Sequence, residues 1–568
     1  MNESVEISAG IAVTNVPPPA RRSSSVLPWL GLVSILVLYA LCVARLHPTN
    51  FFGLTEDDSI YFSSAKALAA GKGYILPSVP GMPPATKYPI LYPWMLSWVW
   101  RWNPSFPANL SAAVALNVFF GFVFLTLAFI FLRRLKGLND TIALLLTAFC
   151  AVHPLVLFYT ANLVADIPFA AVTLAAIVLA AKAIERDTGI ATASFSGVLS
   201  GLALLLRVLG APIAAGLCLA MVLRSRWRKS TVFAASFAPF FIAVFWRSIV
   251  SVPHKSPTTA ASCAFSWQNT WLYYTNYPAF WKVASIDHHT FWQNVQANSV
   301  GCLLQPGAYF VESQFIRPGP LALVFVVFLS AVAVRGLVRQ VQTGGWHPVY
   351  FALVFYLLPV LIWDYSTVDR FLIPFLPLLG AGVGVEGRHL VNQIGVSLHK
   401  QGATGERIAA GFFCVAGAAL LMAASVSWWR EVGLFRRKSE DRAALLLEKR
   451  EAYHWLQQTS SPEARFIAYE DASAFLYSER QGMRPTTFLP AGAFRPEVLK
   501  ADLSCLTSSA EPIGASYWIT AEDDFGFEWE LATLGARYKE AEMESSLPLL
   551  FRSHQGHVRI YGLVPTEN

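Results

Sequence analysis

Apolar residues in this chain gather in long runs rather than in the short stripes of a soluble core. Eleven runs stand out, at 26–46, 108–132, 140–158, 164–184, 192–206, 210–223, 231–250, 320–338, 347–363, 371–386 and 408–427. About twenty apolar residues in helical form cross the hydrocarbon of a bilayer. The pattern therefore predicts a polytopic α-helical membrane protein with about 11 transmembrane helices. Two runs, 192–206 and 210–223, are short for a span and are separated by little more than Arg207. They read as a tight helical hairpin or as one broken element.

Three long pieces interrupt the runs: 47–107, 251–319 and the tail 428–568. Loops of such length are usually functional. The second is rich in aromatics (Trp267, Trp271, Tyr273, Tyr274, Tyr277, Phe280, Trp281, Phe291, Trp292). That composition suits helices lying in the membrane interface or a platform for a lipid or sugar, and plain interfacial anchoring explains any single ring. In the tail, Ala444, Leu447, Tyr453 and Leu456 recur at helical spacing and predict a helix over 441–458. Strands are expected over 465–469, 516–520 and 557–564, with a helix over 472–480, giving a small α/β domain without a nucleotide-binding glycine pattern.

Composition agrees with the runs. Of 568 residues 55% are hydrophobic and 14% charged, against about 25% charged in soluble domains. The formal charge is +7, and its placement is more telling than its size. Arg21 and Arg22, then Arg133, Arg134 and Lys136, Lys182 and Arg186, Arg224, Arg226, Arg228 and Lys229, Arg335 and Arg339, and the stretch 388–407 occupy alternate connections. All fall on the side of the N-terminus, which basic loops mark as cytoplasmic. The expected layout is a cytoplasmic polar tail at 1–25, a transmembrane domain over 26–427, and an extracytoplasmic α/β domain over 428–568. Residues 1–25 lack the apolar core of a cleavable signal, so the first run is read as an anchor in a cell inner (plasma) membrane. No Lys/Arg-rich run interleaves with aromatics, which excludes nucleic acid as the expected partner. The seven cysteines form no CxxC pair and no Cys/His metal spacing. Cys42, Cys150, Cys218 and Cys414 lie in apolar runs and read as packing residues, while Cys263 and Cys302 share the second loop and can pair in an oxidising compartment.

The candidate chemistry lies in 54–98. Thr55-Glu56-Asp57-Asp58 opens a helix whose face carries Tyr61, Ala65 and Leu68 and which Gly71 or Gly73 ends. Thr55 with Asp58 resembles a capping box, and acids at a helix start complement its dipole, so a capping role accounts for this segment taken alone. Adjacent carboxylates point about 100° apart on a helix, so Asp57 and Asp58 are expected to do different jobs. Lys87 follows Asp57 by thirty residues at the same membrane face. A carboxylate and a lysine there suit transfer from a phosphate-linked lipid. The phosphate leaves readily, its second pKa being near 6, so one base for the acceptor hydroxyl and cationic groups or a metal for the phosphate suffice.

Asp57-Asp58-x-x-Tyr61-x-x-x-Ala65-x-x-Leu68-x-x-Gly71, followed by Lys87-Tyr88-Pro89-x-x-Tyr92-Pro93, resembles the first outside loop of the GT-C glycosyltransferases, among them protein O-mannosyltransferases and lipid A aminoarabinose transferases. Asp166-Ile167-Pro168-Phe169 is similar to a second motif of that superfamily, and Arg370-Phe371-Leu372-Ile373-Pro374 to a third. The motifs span most of the first 390 residues; Ile90 departs from them, standing where relatives often have a second proline. The resemblance implies a GT-C type membrane domain. It also implies an inverting transferase that moves a hexosyl or pentosyl group from a polyprenyl-phosphate sugar donor to a hydroxyl of a lipid, glycan or protein acceptor at the outer face. By the same resemblance Asp57 is the catalytic base, Asp58 supports it or helps hold a divalent metal, and Asp166 is the second acid of the site. Lys87 contacts the donor phosphate, with Arg370 and Arg207 as weaker candidates, and Tyr61 and Tyr92 contact substrate. Relatives differ in metal dependence, which leaves the metal open. Plainer roles compete: Asp166 as a helix cap, Arg370 as an interfacial anchor, Arg207 as a snorkelling residue. A transporter or flippase of lipid-linked sugars is the alternative reading of the whole chain, favoured by Arg207 beside the short helix pair. A non-catalytic scaffold would require the Asp57 loop to be purely structural.

Overall fold

The computed structural model describes residues 26–185, 188–250, 274–275, 288–311, 320–363, 368–399, 403–484, 510, 513–524 and 547–563. Each apolar run falls wholly or largely on helix. Among the described residues five helices are long and apolar enough to cross a membrane. These are α1 (Leu27–Ala44), α4 (Leu110–Arg134), α7 (Asp166–Ile184), α10 (Trp227–Val250) and α12 (Pro320–Gly344). The run at 140–158 is not one straight helix. It is α5 (Asp140–Val152) and α6 (Pro154–Ala161), bent by 49°. His153 takes the extended backbone that a following proline favours, and its ring accepts a hydrogen bond from the Leu155 N–H to start the second helix. The pair 192–206 and 210–223 is also two helices, α8 (Ile190–Leu206) and α9 (Gly210–Leu223), with Arg207 in the break.

The bundle is those of a multi-pass membrane protein. Leu30 and Leu41 on α1, Phe241, Phe245 and Trp246 on α10, and Val324 and Phe328 on α12 stand exposed where water would penalise them. The centre is α7, whose buried Ala170, Ala171, Ala176, Ala180 and Ala183 let α4 and α8 approach closely. At Gly197 of α8 a Cβ would strike the Phe233 carbonyl of α10, so only glycine permits that crossing.

Basic loops meet at one end of the bundle. Arg133 forks onto Asp140 with two bonds of 2.9 Å, Arg339 Nε reaches Glu386 at 2.7 Å, and Arg388 Nη1 donates to the Gly137 carbonyl at 3.0 Å. Lys229 Nζ donates to the carbonyls of Ala183 and Glu185 at 2.8 and 3.0 Å, and Arg224 Nη2 to that of Trp346 at 2.8 Å. Arg21, Arg22 and Arg186 lie outside the described residues. Along α7, Asp166 lies about 24 Å from Lys182, at the opposite end.

The second large loop is not loop throughout: α11 (His288–Val311) is a helix packed against α12 and α13 (Pro348–Leu361). Its Asn298 side chain donates to the carbonyls of Leu361 and Trp363 at 3.2 and 2.6 Å, which ties it to the bundle. Cys302 is on this helix, whereas Cys263, the side chain of Cys414 and six of the loop aromatics (Trp267, Trp271, Tyr273, Tyr277, Phe280 and Trp281) fall outside the described part.

A short α14 (Val368–Phe371) leads into α15 (Leu376–His399), and α16 (Ala403–Thr459) then runs 57 residues without a break. Beyond it a five-stranded sheet has the order β2-β1-β3-β5-β4. Its strands are β1 (Arg465–Ala468), β2 (Gln481–Met483), β3 (Ala515–Ala521), β4 (Leu549–Arg552) and β5 (Val558–Gly562). β1 runs parallel to β2 and β3, and β5 antiparallel to β3 and β4. The helix expected over 472–480 is α17 (Asp471–Ser478). One face of the sheet packs Phe466, Ala468, Ile519, Val558 and Ile560 onto Ala452, Tyr453 and Leu456 of α16. On the other side Ile467, Met483, Trp518 and Tyr561 share a core with Ile60, Tyr74, Leu76 and Val79 of the first large loop and with Tyr274 of the second. Each large apolar side chain buried there contributes about 1.5–3 kcal/mol. The first loop and the C-terminal sheet are thereby one packed unit.

Candidate active site

The site begins where α2 (Asp57–Ala69) starts. The capping box expected of Thr55 and Asp58 does not form. Glu56, at φ 57° and ψ −50°, is the residue that precedes the helix, and Thr55 Oγ1 is buried with no hydrogen bond. The helix starts one residue later than a box centred on Thr55 requires.

This register separates the two aspartates. Asp58 is fully buried, with Oδ2 accepting from the Gly53 N–H at 2.9 Å and Oδ1 from the Ser59 N–H at 2.6 Å. Burial pushes its carboxyl up to about 7 against the pull of those two N–H groups. Asp57 faces the bundle instead. Tyr88 OH donates to its Oδ1 at 2.5 Å and Arg370 Nη2 to its Oδ2 at 3.1 Å. Burial alone would raise the Asp57 carboxyl, but Arg370, Lys87 and the Tyr88 hydroxyl hold it below the usual carboxylate range. Asp57 is therefore ionised across physiological pH.

Arg370 is shared. Its Nε and Nη2 fork onto the two oxygens of Asp166, each at 2.9 Å, while Nη2 also serves Asp57. Arg207 adds a second ion pair to Asp166 through Nη1. Three elements are needed for this: the start of α7 for Asp166, the break after α8 for Arg207, and α14 for Arg370. The plainer roles weighed for these residues do not hold. Asp166 is the first residue of α7 and its oxygens go to arginines, not to backbone N–H groups; Arg207 and Arg370 turn onto carboxylates rather than outward. The feature that spoke for transport, Arg207, belongs to the same cluster.

Lys87 lies beside Asp57, its Nζ 4.6 Å from the centre of the Tyr88 ring. Burial brings its ammonium down to about 8, opposed by Glu56 and Asp57. Tyr61 and Tyr92 lie beneath this layer. Tyr92 is fully buried with its OH donating to Asn117 Oδ1 at 2.8 Å, and the Tyr61 ring sits 4.8 Å from Tyr88 and 5.2 Å from Tyr92. They support Tyr88 from below and offer little surface to a substrate. A metal held jointly by Asp57 and Asp58 does not fit either. The two carboxylates diverge and are engaged by different donors, and no group of three or more His, Cys, Asp or Glu suited to a metal occurs among the described residues.

Tyr88 stands within the Lys87-Tyr88-Pro89 motif, yet no sequence pattern gives it a role. A polar layer from the C-terminal domain is not foreshadowed by any local pattern. Arg484 pairs with Glu56, and Tyr274 OH donates to Asp471 Oδ2 at 2.8 Å. Arg442 and Lys449 hold Glu470 and Asp523 just behind the Phe52–Gly53 turn. These partners lie hundreds of residues from the loop they meet, and no local pattern announces them.

A membrane helical bundle carrying a small C-terminal sheet domain is the GT-C fold, and the chain has that fold. Among solved structures, it is similar to the oligosaccharyltransferase AglB of Archaeoglobus fulgidus in complex with an inhibitory peptide and a dolichol-phosphate, at a TM-score of 0.53 and 14% identity over 96% of this chain and 75% of that one. The apo form of the Archaeoglobus fulgidus oligosaccharyltransferase gives a TM-score of 0.52 at 14% identity over 94% and 75%. ArnT of Cupriavidus metallidurans bound to undecaprenyl phosphate gives 0.48 at 14% identity over 93% and 98%. At such identity the likeness is one of fold. No protein-family model matches the sequence, and no curated protein is similar to it in sequence.

Proposed function

We propose that this chain is an inverting glycosyltransferase that moves a sugar from a polyprenyl-phosphate donor to an acceptor hydroxyl. The observation that carries the reading is Asp57, an ionised carboxylate aimed by Tyr88 and Arg370 at the bundle end where Asp166, Arg207 and Lys87 also converge. The dolichol-phosphate bound to AglB, which has the same fold, supports a lipid phosphate as the donor class. The acceptor oxygen attacks the anomeric carbon on the face opposite the phosphate. The carbon–oxygen bond to phosphate breaks with its electron pair passing to the phosphate, and the acceptor proton passes to Asp57. The phosphate, with a second pKa of about 6, leaves without a general acid, so one base is all that the proton transfer requires. Lys87, and Arg370 and Arg207 around Asp166, provide positive charge for the departing phosphate. The basic loops at the far end support a cytoplasmic reading of that end, and with it transfer at the outer face of the inner membrane onto a lipid, glycan or protein hydroxyl.

The test uses the full chain in proteoliposomes with radiolabelled dolichyl- and undecaprenyl-phosphate hexoses and pentoses. Asp57→Asn is expected to lower transfer by about 10²–10⁴-fold, the usual contribution of a general base, while donor binding persists. Transfer by that variant at the wild-type rate would overturn the base assignment. A wild-type protein that only carries lipid-linked sugar across the bilayer would replace this reading by a transporter.

A further inference from the structure

We propose that the C-terminal domain is a positioning device for the catalytic carboxylate, with Arg484 acting through Glu56 and Arg442 acting through the Phe52–Gly53 turn. This rests on the transferase reading of Asp57. Nothing in the sequence assigns the domain a role, yet it meets the Asp57 turn from both sides.

On one side stands Glu56. Its φ of 57° and ψ of −50° is a conformation that residues with a Cβ rarely adopt, at a cost of order 1–3 kcal/mol that neighbouring structure must offset. The offset is visible. The Glu56 carboxylate enters the C-terminal domain and pairs with Arg484, whose side chain is 0% exposed. The Arg484 guanidinium lies over the Tyr469 ring, 4.6 Å from its centre, and Tyr274 OH approaches Glu56 at 3.4 Å. On the other side, Arg442 Nη2 donates to the Phe52 carbonyl and to Glu470 Oε1, both at 2.9 Å, and Nη1 to Asp523 Oδ2 at 2.6 Å. Lys449 Nζ closes the group with bonds of 2.7 Å to Glu470 and Asp523. Gly53 fits only as glycine here, with φ of 86° and an imagined Cβ 2.8 Å from Glu470 Oε2. Its N–H then holds Asp58, so the residues before and after Asp57 are both fixed by the domain.

Docking alone does not require these charges. The apolar core around Ile60, Tyr74, Leu76 and Trp518 already joins loop to sheet. Buried ion pairs contribute little net stability relative to apolar replacements. Their position, at Glu56 next to the base and behind the Phe52–Gly53 turn whose N–H holds Asp58, points to orientation. A misplacement of 1 Å at a reacting group can cost about a hundred-fold in rate.

The experiment compares Arg484→Met, Arg484→Lys and Glu56→Gln in the full-length protein in lipid nanodiscs, reading kcat and donor KM together with hydrogen exchange of the 53–60 backbone. Expected for Arg484→Met is a kcat lower by about a hundred-fold, a donor KM within two-fold, faster exchange at 53–60, and partial recovery of both in Arg484→Lys. Should Arg484→Met not fold, Glu56→Gln carries the same test with a smaller change. Unchanged exchange overturns the proposal whatever the rate does, since Arg484 would then act on substrate directly or not at all. Unchanged kcat with faster exchange also overturns it. If the wild type transfers no sugar, the transferase reading fails by itself. The exchange data still decide whether Arg484 holds the Asp57 turn.

Discussion

Both ends of the bundle are stapled by arginine and carboxylate, yet the two ends differ in what the pairs can do. At the basic end Glu386 takes Arg339 at 2.7 Å and Arg335 at 3.0 Å, and the Arg335 side chain is 68% exposed. Either arginine can leave without stranding a charge, and exposed pairs contribute about 0–1 kcal/mol. At the other end Asp57, Asp166, Arg207 and Arg370 each expose under a fifth of the side chain, and one guanidinium serves two acids. The same chemistry that pins a loop in water becomes, out of water, a preorganised field. Glu386 is buried and shared too; what distinguishes the site is that its arginines are also largely buried, whereas Arg335 stands in solvent.

The largest break in that contrast is Arg370→Ala. It removes the cation shared by two buried carboxylates and is expected to cost about 3–5 kcal/mol of stability, read from thermal unfolding in detergent, along with nearly all sugar transfer. Intermediate is the removal of a titrating cation without loss of charge. Lys87, brought down to about 8, is charged below that pH and neutral above it. For the wild type kcat/KM toward the donor should therefore fall as pH rises past about 8, roughly ten-fold by pH 9. Lys87→Arg should hold its own, lower value flat to higher pH; a pH profile of the two proteins checks this. Smallest is Arg339→Gln at the basic end. Arg335 still reaches Glu386, so unfolding should shift by no more than about 1 kcal/mol and transfer should stay at the wild-type rate. A large loss of transfer in Arg339→Gln would erase the distinction between the ends.

Much of the site was legible because its acids and bases lie at helix ends beside prolines and glycines. Asp57, Lys87, Asp166, Arg207 and Arg370 could be named through the resemblance their motifs carry, and the structure brings all five to one bundle end. Asp58 could be separated from Asp57 by helical geometry, but its engagement by the Gly53 N–H depends on a turn that no periodicity encodes. The resemblance implies substrate contacts at Tyr61 and Tyr92, whereas both are buried, Tyr92 with its hydroxyl on Asn117 Oδ1. The strands β2 (Gln481–Met483) and β4 (Leu549–Arg552) went unseen, being too short to show alternation. The bend at His153 was announced by Pro154, but the apolar run on both sides reads as one span.

α16 deserves a mechanical reading. Over 57 residues it is a shaft of about 85 Å that leaves the bundle and carries the sheet domain at its tip. A shaft has azimuth as well as length: each residue turns whatever it bears by about 100° and advances it by about 1.5 Å. Whether Arg442 faces the Phe52 carbonyl is thus indexed by the number of residues between bundle and tip, and one inserted residue would swing it a quarter turn away. The stem of the protein is also its protractor.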